Sequence, residues 1–291
     1  MGNVFFVNSN NKRTFVARDF ACVITPWGIN LTKMSQHYVL KHLCGKMKKI
    51  GVFTDVHGNL PALKLMLDHF QAEGVEEILY LGDIVCIGPR SRECFDLIAQ
   101  TPNITCVLGN HDRDFVLNNP YVRPYSHVPT EHKMQVFSTL TEAHREIAKK
   151  FPLYVTRNIG GQKLLFCHYP FEWDTINTYF DDFPFRFIEN EQTPKNFDKL
   201  MADYTNFDAI FFGHKHEYAD VVGKRVYVNV GSLGCHPNPW AQGVIIEYDD
   251  QSWTYRRVRI PYDPEAVHQD MVANVPCGEQ LYNFYFLRIK P

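Results

Sequence analysis

Five stretches of this 291-residue chain end an apolar run in side chains able to bind a metal ion. Ile50-Gly-Val-Phe53 leads into Asp55 and His57, and Ile78-Leu-Tyr-Leu81 into Gly82-Asp83. Thr105-Cys-Val-Leu108 leads into Gly109-Asn110-His111-Asp112, Leu164-Leu-Phe-Cys167 into His168, and Ile210-Phe-Phe212 into Gly213-His214-Lys215-His216. Taken singly, each has a plain explanation. An aspartate after a strand commonly makes a turn or caps a helix, and a lone histidine is commonly just hydrogen-bonded. Five in succession, each at the end of an expected strand, are more than turn chemistry requires. Ligands of open α/β sheets gather at the carboxyl ends of the strands, and the interspersed glycines let the backbone bend where side chains converge.

The donors are aspartate, histidine and asparagine, without cysteine. Nitrogen and oxygen ligands suit Mn, Fe, Zn, Co or Ni better than a structural cysteine–zinc site. There are more donors than one ion needs, which points to two ions sharing a carboxylate. A pair of metals about 3.5–4 Å apart can activate water and clamp a phosphate for in-line attack.

The elements that must hold these residues begin at Ile50–Thr54, an expected strand. A helix follows, with Asn59 as its N-cap, Pro61 in its first turn, an apolar stripe of Leu63, Met66, Leu67 and Phe70, and Gly74 at its end. Strands are expected at Ile78–Leu81 and Thr105–Leu108, with a helix over Ser91–Gln100 between them. This βα alternation implies a parallel sheet. Residues 112–129 read as a long loop, followed by one or two helices between Glu131 and Lys150, the second with Thr139 and Glu142 as a capping box. Gly160-Gly161 joins Leu153–Arg157 to Lys163–Cys167 as a hairpin. Residues 170–194 read as an irregular excursion, and Lys195–Tyr204 as a helix. Strands at Ala209–Phe212, Tyr218–Val222, Arg225–Val230, Gly243–Tyr248 and Trp253–Ile260 suggest a second sheet with antiparallel character. A surface helix is expected over Pro264–Asn274, while Tyr282–Ile289 fits strand or helix equally.

Residues 1–46 carry no motif. Phe15–Ile24 is weakly strand-like and Leu31–Leu43 resembles a short helix. They form an N-terminal extension to a single domain over 47–291, and one expectation is that Met47 is the natural start. Mass spectrometry of the native N-terminus decides this: a peptide spanning Thr32 to Cys44 would sink it.

Composition narrows the partners. With 30 basic against 32 acidic residues, the formal charge of −2 gives no electrostatic case for stable nucleic-acid or membrane binding. No apolar run approaches a membrane span, and the N-terminus lacks the order of a signal peptide. Eight cysteines without a CxxC pair fit reduced thiols packed as small hydrophobes, so a cytoplasmic location is expected.

The order Asp-x-His, Gly-Asp, Gly-Asn-His-Asp, His, Gly-His-x-His resembles the calcineurin-like metallophosphoesterase superfamily over roughly residues 48–260. The resemblance implies a four-layer α/β/β/α sandwich around two divalent ions, Mn foremost and Fe, Zn, Co or Ni as alternatives. Asp55, His57, Asp83 and His216 would bind one ion. Asp83, Asn110, His168 and His214 would bind the other, with Asp83 bridging. His111 would face the substrate, stabilising phosphoryl charge or protonating the leaving oxygen. Gly82-Asp-Ile-Val-Cys-Ile-Gly-Pro89, Glu93-Cys94 and Asn229-Val-Gly-Ser-Leu-Gly234 resemble compact bacterial phosphodiesterase and diadenosine-tetraphosphate-hydrolase-like members. Cys86 stands where the family's Ser/Thr protein phosphatases carry an aspartate that orients the catalytic histidine. This weakens a phosphoprotein reading and leaves Asp112 as the candidate for orienting His111.

The expected reaction is therefore hydrolysis of a phosphodiester or nucleotide polyphosphate by a metal-bridging hydroxide. Phosphomonoesterase or protein phosphatase activity is the alternative. A non-catalytic binding scaffold would be expected to have lost ligands or the catalytic histidine, and all are present. A metallo-β-lactamase-like site would need His-x-His-x-Asp-His, which is absent. Secondary candidates are Asn59, capping its helix and facing the site, and Arg113, reaching a phosphate or standing as a solvated loop charge. Ser232 is expected in a tight turn behind the metals, and His236 and Trp240 at the pocket border. Tyr169, Phe171 and Trp173 could stack a base or pack in the core, and Arg256, Arg257 and Arg259 form a solvated strand face.

Overall fold

Two β-sheets lie face to face with helices outside them. The computed structural model of the protein describes residues 4–8, 13–17, 20–25, 28–32, 47–121, 127–173 and 185–288. One sheet is built on three parallel strands, β5 (Lys48–Phe53), β6 (Glu77–Tyr80) and β7 (Ile104–Cys106). Between them run α1 (Leu60–Ala72) and α2 (Ser91–Gln100). The other sheet has the order β11-β12-β10-β9-β8. It comprises β8 (Tyr154–Ile159), β9 (Gln162–Cys167), β10 (Ala209–Phe212), β11 (Ala219–Val222) and β12 (Val226–Asn229). The hairpin of β8 and β9 turns on Gly160-Gly161 as expected.

Alternation along the strands divides the core. Ile50 and Val52 of β5 face the second sheet, where they meet Leu164, Phe166, Phe211 and Val228. Phe53, in the opposite phase, faces the helices and packs with Met66 and Phe70 of α1. A strand apolar on both faces is what a layer buried on both sides demands. Each large side chain so buried contributes about 1.5–3 kcal/mol. The ends of α1 follow the expectation: Asn59 Oδ1 accepts from Ala62 N at 3.1 Å, and Gly74 leaves the helix at φ +69°.

Several expectations are corrected. The strands β13 (Trp240–Tyr248) and β14 (Ser252–Pro261) belong to the first sheet. Val244 pairs antiparallel with Val52, and Ile246 with Ile50, so the returning chain covers the free edge of β5. The supposed loop at 112–129 begins as a helix, α3 (Asn110–Val116). All seven of its residues are buried, so it has no apolar–polar period to read. It is followed by α4 (Thr130–Thr139) and α5 (Glu142–Ala148). The cap of α5 is Thr141, paired with His144, because Thr139 is still inside α4. The helix expected over Lys195–Tyr204 is α6 (Pro194–Leu200).

The weakly strand-like N-terminal stretch contains two strands of a four-strand set: β1 (Val4–Asn8), β2 (Arg13–Ala17), β3 (Phe20–Thr25) and β4 (Gly28–Thr32). Strand β1 pairs with β14, giving the order β4-β3-β2-β1-β14-β13-β5-β6-β7. Leu31 and Thr32 are in β4, and the rest of the helix expected to Leu43 lies outside the described residues. At the other end come α7 (Pro264–Asn274) and α8 (Gly278–Phe286), so the ambiguous C-terminal segment is helical from Tyr282 to Phe286, while Ile289 lies outside the described residues. No helix among the described residues is long and apolar enough to cross a membrane.

Candidate metal centre

The five motifs meet where the carboxyl ends of β5, β6, β7, β9 and β10 come together from both sheets. Three groups of residues have ligand atoms within 4.8 Å of one another: Asp55, His57 and His216; His57, Asp83 and His111; and Asp83, His168 and His214. Asn110 joins the last group, with Oδ1 3.1 Å from His168 Nε2 and 2.7 Å from His214 Nδ1. All seven expected ligands, and His111, are therefore in one cluster.

Backbone hydrogen bonds lace the loops together: Asp55 N donates to Gly82 O (2.9 Å), His57 N to Asp83 O (3.0 Å) and Gly234 N to Asp55 O (3.0 Å). Glycines allow the close approach. A Cβ on Gly109 would stand 2.2 Å from Asp83 N and Oδ1, and one on Gly213 would stand 2.6 Å from Asp55 Oδ2. Asp55, His57, Asp83, His214 and His216 all adopt positive φ, between 47° and 67°. Such conformations cost about 1–3 kcal/mol each and concentrate at functional sites.

Asp55, Asp83, His57 and His168 each have one polar atom fixed outward and one turned inward. Asp55 Oδ2 accepts from Thr54 Oγ1 (2.7 Å) and His214 N (3.0 Å). Its Oδ1 is buried without an aligned hydrogen-bond donor, 3.4 Å from His57 Nε2 and 3.2 Å from His216 Nε2. Asp83 Oδ1 accepts from His111 N (2.7 Å), while Oδ2 lies 3.8 Å from His57 Nε2 and 3.3 Å from His168 Nε2. Carbonyls can only accept, so Leu81 O at 2.8 Å and Val85 O at 3.3 Å fix the Nδ1 protons of His168 and His57. The Nε2 lone pairs are then left for the centre. His57 Nε2 and His216 Nε2 stand 3.0 Å apart, a juxtaposition suited to two ligands of one cation.

The electrostatics fit cation binding. Burial disfavours the charge on Asp55, but His168 and His216 outweigh it and hold the carboxyl well below its ordinary value. Asp83 is lowered likewise, against burial, by His168 and His111. Burial, then the His168 charge, pushes His214 down, and burial lowers His216, so both favour the neutral ligand form. His168 moves the other way: burial opposes its charge, yet Asp83 and Asp55 raise it to about 9. A divalent cation would balance the same carboxylates and displace that proton.

The secondary candidates separate. Asp112 does not orient His111: its carboxylate accepts from Asp83 N (2.7 Å), Ile84 N (2.9 Å) and Gly109 N (3.3 Å). It thus fixes the bridging loop, while His111 is held through its own backbone and edge-on against the His57 ring at 5.2 Å. Asn59 gives Oδ1 to its helix and Nδ2 to Gly234 O at 2.9 Å. Arg113 is buried on α3, which removes the solvated-loop alternative. Ser232 lies behind the centre, its Oγ donating to Asp55 O at 2.9 Å and accepting from Cys235 N at 2.8 Å.

Phe171 and Trp173 pack with Tyr204 in the core, and Tyr169 lies 3.8 Å from the His214 ring. The arginine face is partnered: Arg257 binds Asp220, Arg256 binds Glu73, and Arg259 covers Tyr218 and Trp240. The residues missed in sequence are Thr54 and Tyr285. Thr54 looked like a strand end, and Tyr285, 6.1 Å from the His216 ring, arrives from a remote helix.

Comparison with known proteins agrees with this geometry. The profile of the calcineurin-like phosphoesterase superfamily domain matches residues 47–251. A crystal structure of a metallophosphoesterase from Sphaerobacter thermophilus is 25% identical, covers 80% of this chain and 96% of that one, and superposes with a TM-score of 0.58. A Pyrococcus horikoshii OT3 hypothetical protein shares the fold, with a TM-score of 0.63, 19% identity, and 82% and 98% of the two chains covered. An uncharacterized protein of Methanocaldococcus jannaschii is 26% identical over 80% of this chain and 97% of its own length. With a dense cluster of metal-competent side chains where that domain's two sheets meet, the chain belongs to the calcineurin-like phosphoesterase superfamily and is a metal-dependent phosphoesterase.

Proposed function

We propose that the protein hydrolyses a phosphodiester or a nucleotide polyphosphate and uses two divalent cations, Mn foremost, to do so. The observation that carries this reading is Asp83 Oδ2, which faces His57 Nε2 at 3.8 Å and His168 Nε2 at 3.3 Å. One carboxylate oxygen thus serves both ligand groups. Asp55, His57 and His216 would complete one set, and Asn110, His168 and His214 the other. When bound, the cations supply Lewis acidity and a water of lowered pKa. The protein's own part is positional and electrostatic. Asp55 and Asp83 hold negative charge in a buried pocket, and the outward hydrogen bonds of His57 and His168 keep their inner nitrogens aimed at the centre. His111, at the start of α3, is suited to donating a proton to the leaving oxygen or countering charge on the phosphoryl group.

Cys86 supports a diester or polyphosphate over a phosphoprotein. It is buried, donates its backbone N–H to Ser91 Oγ at 3.0 Å, and supplies no carboxylate for His111. The test is a panel of a diester, a monoester, diadenosine tetraphosphate and a phosphopeptide offered to the metal-reconstituted protein. The diester or the polyphosphate should turn over fastest. Fastest turnover of the phosphopeptide would overturn the substrate reading. No turnover of any of the four, with no change in His111→Ala, would favour a binding scaffold.

A further inference from the structure

Thr54 follows the last residue of β5 and is fully buried, as is Asp55 beside it. An ionised carboxylate can only accept, so the contact of 2.7 Å between Thr54 Oγ1 and Asp55 Oδ2 is a hydroxyl donating to a carboxylate oxygen, a short and strong kind of hydrogen bond. The rest of Thr54 is fixed as well. Its carbonyl accepts from Leu233 N at 2.9 Å. The Gly213 backbone lies so close that a Cβ there would stand 2.3 Å from Thr54 Oγ1 and 2.8 Å from Thr54 Cγ2. Both branches of the side chain therefore rest on one glycine, which pins a β-branched residue already stiff at χ1.

The same oxygen has a second donor. His214 N reaches Asp55 Oδ2 at 3.0 Å, and the preceding Gly213 N donates to His168 O at 3.0 Å. Oδ2 thus joins the loop after β5 to the loop after β10, and through Gly213 to His168. With Oδ2 held by two donors, Oδ1 is the oxygen that faces His57 Nε2 at 3.4 Å and His216 Nε2 at 3.2 Å. A carboxylate with neither oxygen held can turn, or offer both to one cation; with one held, it offers the other alone. The second donor is backbone and survives any substitution at position 54, so the hydroxyl's share can be measured by itself.

We propose that Thr54 is a positioning residue of the metal centre: its hydroxyl holds Oδ2 of Asp55 outward, so that Oδ1 is the one oxygen this side chain presents to a cation, and it steadies the loop that carries His214. This rests on the cation-binding reading of the centre and adds to it a residue that is itself no ligand. Valine has nearly the shape of threonine without the hydroxyl, and would leave a buried carboxylate oxygen short of a donor. Serine keeps the hydroxyl and loses only the methyl group.

The test is calorimetric titration of Mn into the metal-free protein and its variants at one pH. Thr54→Val should weaken Mn binding at least about tenfold, the scale on which changes to the partners of metal ligands act. Thr54→Ala should weaken it alike, and Thr54→Ser should restore most of the affinity; these two decide the matter even if valine prevents folding. Thr141→Ala, which removes the hydroxyl that caps α5, should bind Mn as the wild type does and so exclude a general effect of lost stability. Wild-type affinity in Thr54→Val or Thr54→Ala, or a loss in Thr54→Ser as large as theirs, would overturn the proposal. Failure of the wild type to bind Mn would contradict the cation reading and the proposal with it, whereas equal binding by wild type and variants contradicts the proposal alone.

Discussion

Asp83 uses its two carboxylate oxygens in different directions: Oδ1 takes the backbone N–H of His111, and Oδ2 faces His57 and His168. Replacing it by asparagine should therefore damage both proposed sites, lowering kcat by about a hundredfold or more, since even outer-shell changes at metal centres cost about 10–100-fold. Arg113→Ala should cost far less, as steady-state rates on one substrate would show; equal losses would count against a bridging role. Protonation supplies a second prediction. Metal-free His168 keeps its proton up to about pH 9, because Asp83 and Asp55 outweigh burial. Cation uptake must expel that proton, so affinity should rise about tenfold per pH unit below 9 and level off above. Calorimetry in buffers of different ionisation enthalpy should find about one proton released per chain at pH 7.5; none released would contradict it. At this scale much was legible in the chain itself. A charged or polar residue after an apolar run stands out locally, and five such places marked all seven candidate ligands that the fold brings together. The positive φ of five of them was not legible, because turns and caps draw on the same residue types.

Elements decide whether those side chains converge. Gly109 begins the turn into α3, and a methyl group there would collide with the backbone and carboxylate of Asp83. Gly109→Ala should lower metal affinity at least about tenfold while the far-ultraviolet circular dichroism stays native, because it moves one loop rather than the core. Wild-type metal affinity in this variant would contradict the packing argument. The cap of α5 provides a test away from the site. Thr141 Oγ1 accepts from His144 N, and Thr141 N donates to His144 Nδ1 at 2.9 Å. Thr141→Ala should cost about 1 kcal/mol in denaturant unfolding and leave kcat untouched. Elements with a local signature, such as α1 with its asparagine cap and the Gly160-Gly161 hairpin, could be read from sequence. Helix α3 could not, since burial on every side erases the periodicity that reveals a helix.

At the scale of the molecule, the layers could be expected from alternating apolar strands, but not which strand joins which sheet. Strand β13 pairs with β5 across nearly two hundred residues of chain, and its own pattern fits either sheet. The same limit hid the C-terminal hairpin's return to the centre, which depends on the Arg90–Asp270 pair between distant segments. The two sheets together bring candidate ligands from both halves of the chain to a common edge, where Asp83 is placed to serve two ions through one carboxylate. Elemental analysis after Mn reconstitution and desalting tests this most directly. The wild type should retain about two ions per chain and Asp83→Asn at most one, in keeping with a shared carboxylate. A single ion in the wild type, or two in Asp83→Asn, would contradict it.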